Sequence, residues 1–66
     1  MALLKVIELL AESNKSWEDA AQNAVTETSK SIRNIRSVYV KNLRAEVDKD
    51  KITNWRLDCK ITFEKE

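Results

Sequence analysis

A strict alternation of apolar and polar residues near the end of the chain constrains the fold most strongly. Between Ile52 and Glu64, the apolar residues that occupy every second position are Trp55, Leu57, Cys59, Ile61 and Phe63. Successive side chains of a strand point to opposite faces, so this pattern predicts a strand over Ile52–Glu64. One of its faces is expected in the core and the other is polar, which is typical of an antiparallel sheet covered by a helix on one side.

A capped amphipathic helix is predicted from about Trp17 to Arg33, with Asn34 as its C-terminal residue. The Ser16 hydroxyl can accept a hydrogen bond from a free amide of the first turn, and Asp19, three residues on, completes a capping box. The apolar stripe of this segment consists of Trp17, Ala20, Ala21, Ala24, Val25, Ile32 and Ile35. Three of these are alanines, so the helix is expected to lie very close to the sheet that it covers.

Two more strands complete the predicted fold. Leu3 to Leu10 is a short run rich in aliphatic residues, and Arg36 to Val47 leads into a polar turn at residues 48–51. The order of elements predicts one α+β domain over residues 1–66. Its β-α-β-β order implies a three-stranded antiparallel sheet with one helix packed across it.

The second strand does not keep one phase of alternation. Val38 and Val40 are apolar on one parity, whereas Leu43, Ala45 and Val47 are apolar on the other. A β-bulge would explain this switch. A strand that leaves its own core and packs on a neighbouring subunit would explain it too. The second explanation is favoured, because a long hairpin that reaches past the helix needs cover from outside the subunit.

Composition favours an oligomer. A chain of 66 residues buries a modest core, and domains of this size usually need disulfides, metals or association with other chains. One cysteine and no histidine exclude an intramolecular disulfide and ordinary zinc sites. The net charge of +1, with both signs interspersed, argues against a nucleic-acid surface. No membrane-spanning run or signal peptide is visible, so a soluble cytoplasmic protein is expected.

An ordered set of short segments resembles the dodecin family. The matching segments are Lys5–Leu9, Ser16–Glu18, Ile32–Arg36, Lys51–Ile52 and Phe63. Dodecins are small bacterial and archaeal proteins that assemble as hollow dodecamers and bind flavins, and the resemblance covers nearly the whole chain. It implies a non-catalytic homododecamer that stores a small ligand, with riboflavin, FMN or FAD as the expected cofactor. Dodecin-like sequences also usually carry a glycine in the last turn, where this chain has Asp50, a residue that tolerates the left-handed region.

The resemblance also points to two site residues, and the alternation of side chains along the second strand adds a third. In flavin-binding dodecins a tryptophan after the Ile-Arg pair stacks on the flavin, and that position is Ser37 here. A glutamine on the third strand binds the polar edge of the ring, and that position is Arg56. Flavin affinity is therefore expected to be weak or lost. Tyr39 shares the face of Ser37 and could supply a replacement ring, although packing against another subunit is favoured. For Arg56 an inter-strand or inter-subunit ion pair is favoured over a bound anion.

Enzymatic activity is not expected. Cys59 lies between apolar residues of the third strand, and no histidine exists to activate it. Glu46, Asp48 and Asp50 are spaced two residues apart, like the first ligands of an EF-hand calcium loop. The rest of such a loop does not follow, so a solvated turn explains them better. Two functions remain open: a cage that stores flavin or a similar ligand, and a flavin-free structural cage. The second would bind a small anion at Arg56, a metal ion, or nothing.

Overall fold

The computed structural model describes residues 3–65, which form one helix and three strands. These are β1 (Leu3–Ser13), α1 (Trp17–Ser29), β2 (Ile35–Asp48) and β3 (Lys51–Lys65). The sheet is antiparallel with the order β1-β3-β2, so β3 is its central strand. The predicted α+β fold and its β-α-β-β order are confirmed.

The core lies between the helix and one face of the central strand. Leu57, Cys59 and Ile61 are at most 1% exposed, and they pack in one cluster with Ala20 and Ala24 of α1. The alternation predicted for β3 is confirmed, and the two alanines allow the helix to approach the sheet closely. The core is small, in keeping with the length of the chain.

Half of the predicted capping box forms at the start of the helix, because the Ser16 amide donates to Ser13 Oγ at 3.5 Å and not to the Asp19 carboxylate. The Ser16 hydroxyl accepts a hydrogen bond of 3.0 Å from the backbone amide of Asp19. The Asp19 carboxylate in turn accepts a hydrogen bond of 2.6 Å from the hydroxyl of Ser13, at the end of β1. The cap therefore also joins the helix to the first strand.

The helix ends at Ser29, four residues before the predicted Arg33, and Asn34 is not its last residue. The amide of Ile32 donates to the carbonyl of Thr28, which closes the last turn. Asn34 then adopts the left-handed conformation with a φ of 63°, and its carbonyl accepts a hydrogen bond from the amide of Glu64 on β3. Pairing with β3 therefore takes over where the helix was expected to continue.

A β-bulge explains the change of phase in β2. Val40 pairs with Cys59 and Asn42 pairs with Asp58, so Lys41 is the inserted residue. After the bulge, Leu43 lies opposite Leu57, on the helix side of the sheet. The explanation that the sequence favoured, packing on a neighbouring subunit, is not needed to account for the phase. The helix nevertheless leaves Leu43 largely uncovered, since this side chain remains 57% exposed.

The β2–β3 turn contains two left-handed residues. Lys49 has a φ of 51° and Asp50 a φ of 66°. Two central residues of positive φ are the signature of a two-residue type I′ hairpin, whose twist suits the flanking strands. The conformation expected for Asp50 is confirmed, and Lys49 shares it.

Candidate functional site

All three predicted site residues lie on the face of the sheet that points away from the helix, here called the open face. Strand pairing assigns to it residues that alternate with those of the core. On β1 and β3 they are Val6, Glu8, Leu10, Glu12, Asn54, Arg56, Asp58, Lys60 and Thr62. On β2 they are Ser37, Tyr39, Asn42, Arg44 and Glu46.

One chain does not bring Ser37 and Arg56 together. Ser37 pairs with Thr62, six positions along β3 from Arg56, which corresponds to about 20 Å at the usual rise of a strand. Tyr39 pairs with Lys60, four positions from Arg56, or about 13 Å. A pocket that uses both ends of this face must therefore combine residues from two copies of the chain.

Arg56 is held by two carboxylates, one from each neighbouring strand. Its Nε donates to Glu12 Oε1 at 2.8 Å, and its Nη2 donates to Glu46 Oε1 at 2.8 Å. We call these three residues the Arg56 clamp. The hydrogen bond to Glu12 and the negative charge of Glu12 raise the pKa of Arg56 above its ordinary value. The structure thus contains the inter-strand ion pair that the sequence favoured over a bound anion.

A second ion-pair network lies beside the clamp, and sequence reasoning missed it. The bulge residue Lys41 reaches across the central strand to Glu8 of β1, with Nζ 3.1 Å from Oε2, and lies 3.9 Å from Asp58 Oδ2. The hydrogen bond from Lys41 is the main reason that the pKa of Glu8 lies below its ordinary value. The phase change at Lys41 was the available signal, because a bulge re-aims side chains.

The Lys41 network makes a prediction about acid stability. The pKa of Glu8 is lower in the folded chain than in the unfolded chain. Ionised Glu8 therefore stabilises the fold at pH values above its unfolded pKa, and this stabilisation is lost as the pH falls through the folded pKa. We expect Lys41→Met to flatten the fall of unfolding free energy across the acidic range in which glutamates titrate. Urea titrations at several pH values measure this. Lys30→Met, which breaks an exposed helical ion pair with Glu27, is the control and should keep the wild-type slope.

The open face also exposes large apolar side chains. Leu10 is 69% exposed and Val6 55%, and Tyr39, which was considered as a replacement stacking ring, is 64% exposed. Exposed apolar patches of this kind mark interaction surfaces. Tyr39 is therefore placed where either a ligand or another subunit could contact it, and the choice between them stays a prediction.

A shallow depression of about 450 Å³ lies beside Arg56. Its lining residues are Leu10, Asn42, Leu43, Arg44, Arg56, Leu57 and Asp58. Its polar part carries charges of both signs, and Asp58 Oδ1 is buried there without a hydrogen-bond partner. The depression is mixed in character, whereas small-molecule pockets are lined mostly by apolar and aromatic side chains with a few polar groups.

The described residues offer little for metal or thiol chemistry. Within residues 3–65, no group of three or more Cys, Asp or Glu side chains gathers in a way that could hold a metal ion. Burial raises the pKa of the Cys59 thiol, which favours the unreactive protonated form. No helix in this part of the chain is long and apolar enough to cross a membrane.

Comparisons with solved structures give matches over nearly the whole chain. Dodecin from Streptomyces coelicolor is 25% identical with a TM-score of 0.92, and the match covers 98% of this chain and 93% of that one. Calcium dodecin from Mycobacterium tuberculosis, a calcium-chelating antigen with a calcium-binding site, is 32% identical with a TM-score of 0.81 over 97% and 91%. A variant of Thermus thermophilus dodecin, at 23% identity, shares the fold with a TM-score of 0.93 over 100% and 98%.

No curated protein matches the chain. The dodecin family model, by contrast, matches residues 3–66. This match takes in all four elements of the fold and the whole open face. The chain therefore belongs to the dodecin family.

Proposed function

We propose that this protein is a non-catalytic cage that assembles as a closed homododecamer in the cytoplasm and holds a small ligand between subunits. We further propose that it binds flavin weakly or not at all. The single observation behind the second statement is the state of the open face. Ser37 stands at the stacking position, and Arg56 at the edge-binding position is already paired with two carboxylates.

Exposed apolar side chains on both faces of the sheet support assembly. Val6 and Leu10 are exposed on the open face, while Leu43 and Val47 are exposed on the helix side. A strand that is apolar on both faces is typical of one covered on both sides. Closed symmetry is favoured, because an open array of long exposed strand edges would continue to add chains.

The chemistry of the two changed positions supports weak flavin binding. Serine offers no ring, so the contact area of a stacked aromatic pair is lost. A flavin edge presents acceptors and an N–H, which glutamine can answer together, whereas arginine has donors only. In this chain Nε and Nη2 of Arg56 are also engaged by Glu12 and Glu46.

Native mass spectrometry tests the assembly. We expect one closed species of twelve chains. Leu10→Glu should shift the assembly to smaller species. The substitution replaces an apolar side chain by a charged one at a position that another subunit would cover. Gln22→Glu, on the exposed surface of the helix, is the matched control and should leave the assembly intact. A stable folded monomer of the wild type at micromolar concentration would contradict the proposal.

Flavin fluorescence tests the ligand. Riboflavin and FMN are titrated with the assembled wild-type protein, and little quenching of their fluorescence is expected. Tight quenching by the wild type would contradict the proposal. It would then favour Tyr39, exposed on the same face as Ser37, as the ring that contacts the flavin.

The alternative is a flavin-free cage that binds a metal ion or a small anion. The 32% identical relative described as calcium-chelating favours the metal over the anion. The Arg56 clamp points the same way, because two carboxylates already compensate the guanidinium. Calorimetric titration of the assembled protein with calcium, and separately with phosphate, distinguishes the two ligands.

A further inference from the structure

We propose that Glu12 and Glu46 determine which ligands the open face accepts, because they hold Arg56 across the sheet and leave a charged edge where a flavin-binding dodecin has a neutral amide. This inference rests on the proposed function. It goes further, because it assigns ligand selectivity to two residues, Glu12 and Glu46, that lie outside the stacking and edge-binding positions.

The geometry of the clamp carries the first step. Glu12 lies on β1 and Glu46 on β2, and Arg56 lies between them on the central strand. Both carboxylates contact the guanidinium through Oε1, at 2.8 Å in each case. Their side chains are about half exposed, and that of Arg56 is less exposed than either. The guanidinium is therefore fixed in position from both sides.

The position of Arg44 explains why two carboxylates are present. Arg44 pairs directly with Arg56 in the β2–β3 register and lies on the same face. Two like charges on facing positions of a sheet repel each other. Glu12 and Glu46 balance them, so the four side chains together carry no net charge. Removing Arg56 alone would break this balance and leave two carboxylates beside a single arginine.

The consequence for ligands follows from desolvation. A neutral ring that enters beside an unpaired carboxylate must strip water from that charge without offering full compensation. Replacing the arginine by glutamine therefore restores the amide but leaves a charged neighbour in contact with it. Riboflavin is therefore expected to bind more tightly still once the two carboxylates are neutralised as well.

The test compares riboflavin affinities in a Ser37→Trp background. One variant adds Arg56→Gln, and a second adds Arg56→Gln together with Glu12→Gln and Glu46→Gln. We expect the second to bind riboflavin at least about tenfold more tightly than the first. Glu27→Gln, which removes a carboxylate from an exposed helical ion pair, is the matched control in the same background and should change nothing. Equal affinities for the two clamp variants would overturn the inference.

A second measurement keeps Arg56 and does not need the engineered ring. In Glu12→Gln/Glu46→Gln the guanidinium loses both partners and is free to bind an anion, so inorganic phosphate should bind several-fold more tightly than it binds to the wild type. A phosphate affinity equal to that of the wild type would overturn the inference. The proposed function fails separately, when the wild type forms no cage or binds riboflavin tightly.

Discussion

Ile61→Ala is expected to lower the free energy of unfolding by about 2–5 kcal/mol, as other buried large-to-small substitutions do. Ile61 has no exposed surface, and it lies between Ile7 of β1 and Val38 of β2 on the helix side of the sheet. The small core gives its neighbours little freedom to collapse into the space left behind. Denaturant titration at a fixed protein concentration measures the loss.

Lys60→Ala is the matched control, because Lys60 is the neighbouring residue on the opposite face of the same strand. Lys60→Ala should lower the free energy of unfolding only slightly unless Lys60 lies in a subunit contact. Phe63→Ala, which the alternation alone places with Ile61, should cost less than Ile61→Ala, since Phe63 is only partly buried in a single chain. If Lys60→Ala destabilised the protein as much as Ile61→Ala, the assignment of faces in β3 would be wrong.

Local patterns in the sequence were sufficient to predict the elements of the fold. The alternation in β3 depends on the period of a strand, and the Ser16 cap depends on contacts within one helical turn. Both signals lie within a few neighbouring residues, and the structure confirms both. The left-handed conformation of Asp50 was expected from the resemblance, because dodecin-like sequences usually carry a glycine at that position, and the two-residue turn requires it.

The details that sequence reasoning missed depend on contacts between distant residues. The helix stops at Ser29 because β2 begins to pair with β3 at Ile35, and such pairing outweighs the apolar stripe that continues to Ile35. The bulge at Lys41 was visible as a change of phase, but only the register against Val40 and Asn42 distinguishes a bulge from a subunit contact. Strand register is a tertiary property, so periodicity in one strand cannot fix it.

The candidate site divides in the same way. Ser37 and Arg56 were identified by resemblance to a family, and no local pattern would have selected them. The partners of Arg56 could not be predicted, because Glu12 is 44 residues away in sequence and meets it only through the β1–β3 pairing. Those partners determine whether an arginine at the edge-binding position is available to bind a ligand.

Ser37→Trp/Arg56→Gln is expected to increase riboflavin affinity over the wild type by about ten- to a hundredfold. An aromatic platform contributes about 1–3 kcal/mol when it stacks on a base, and a comparable gain is expected for a flavin ring. The glutamine adds a donor and an acceptor for the ring edge. Quenching of riboflavin fluorescence by the assembled protein measures the change.

Ser29→Trp, at the exposed end of the helix, controls for quenching by any added tryptophan and should leave riboflavin affinity unchanged. A double variant that assembles normally and binds no better than the wild type would show that the open face has lost more than these two side chains. Because Ser37 and Arg56 lie about 20 Å apart in one chain, a gain that needs both substitutions would also require two copies to contribute to one pocket. The binding result therefore tests the arrangement of subunits as well as the two substitutions.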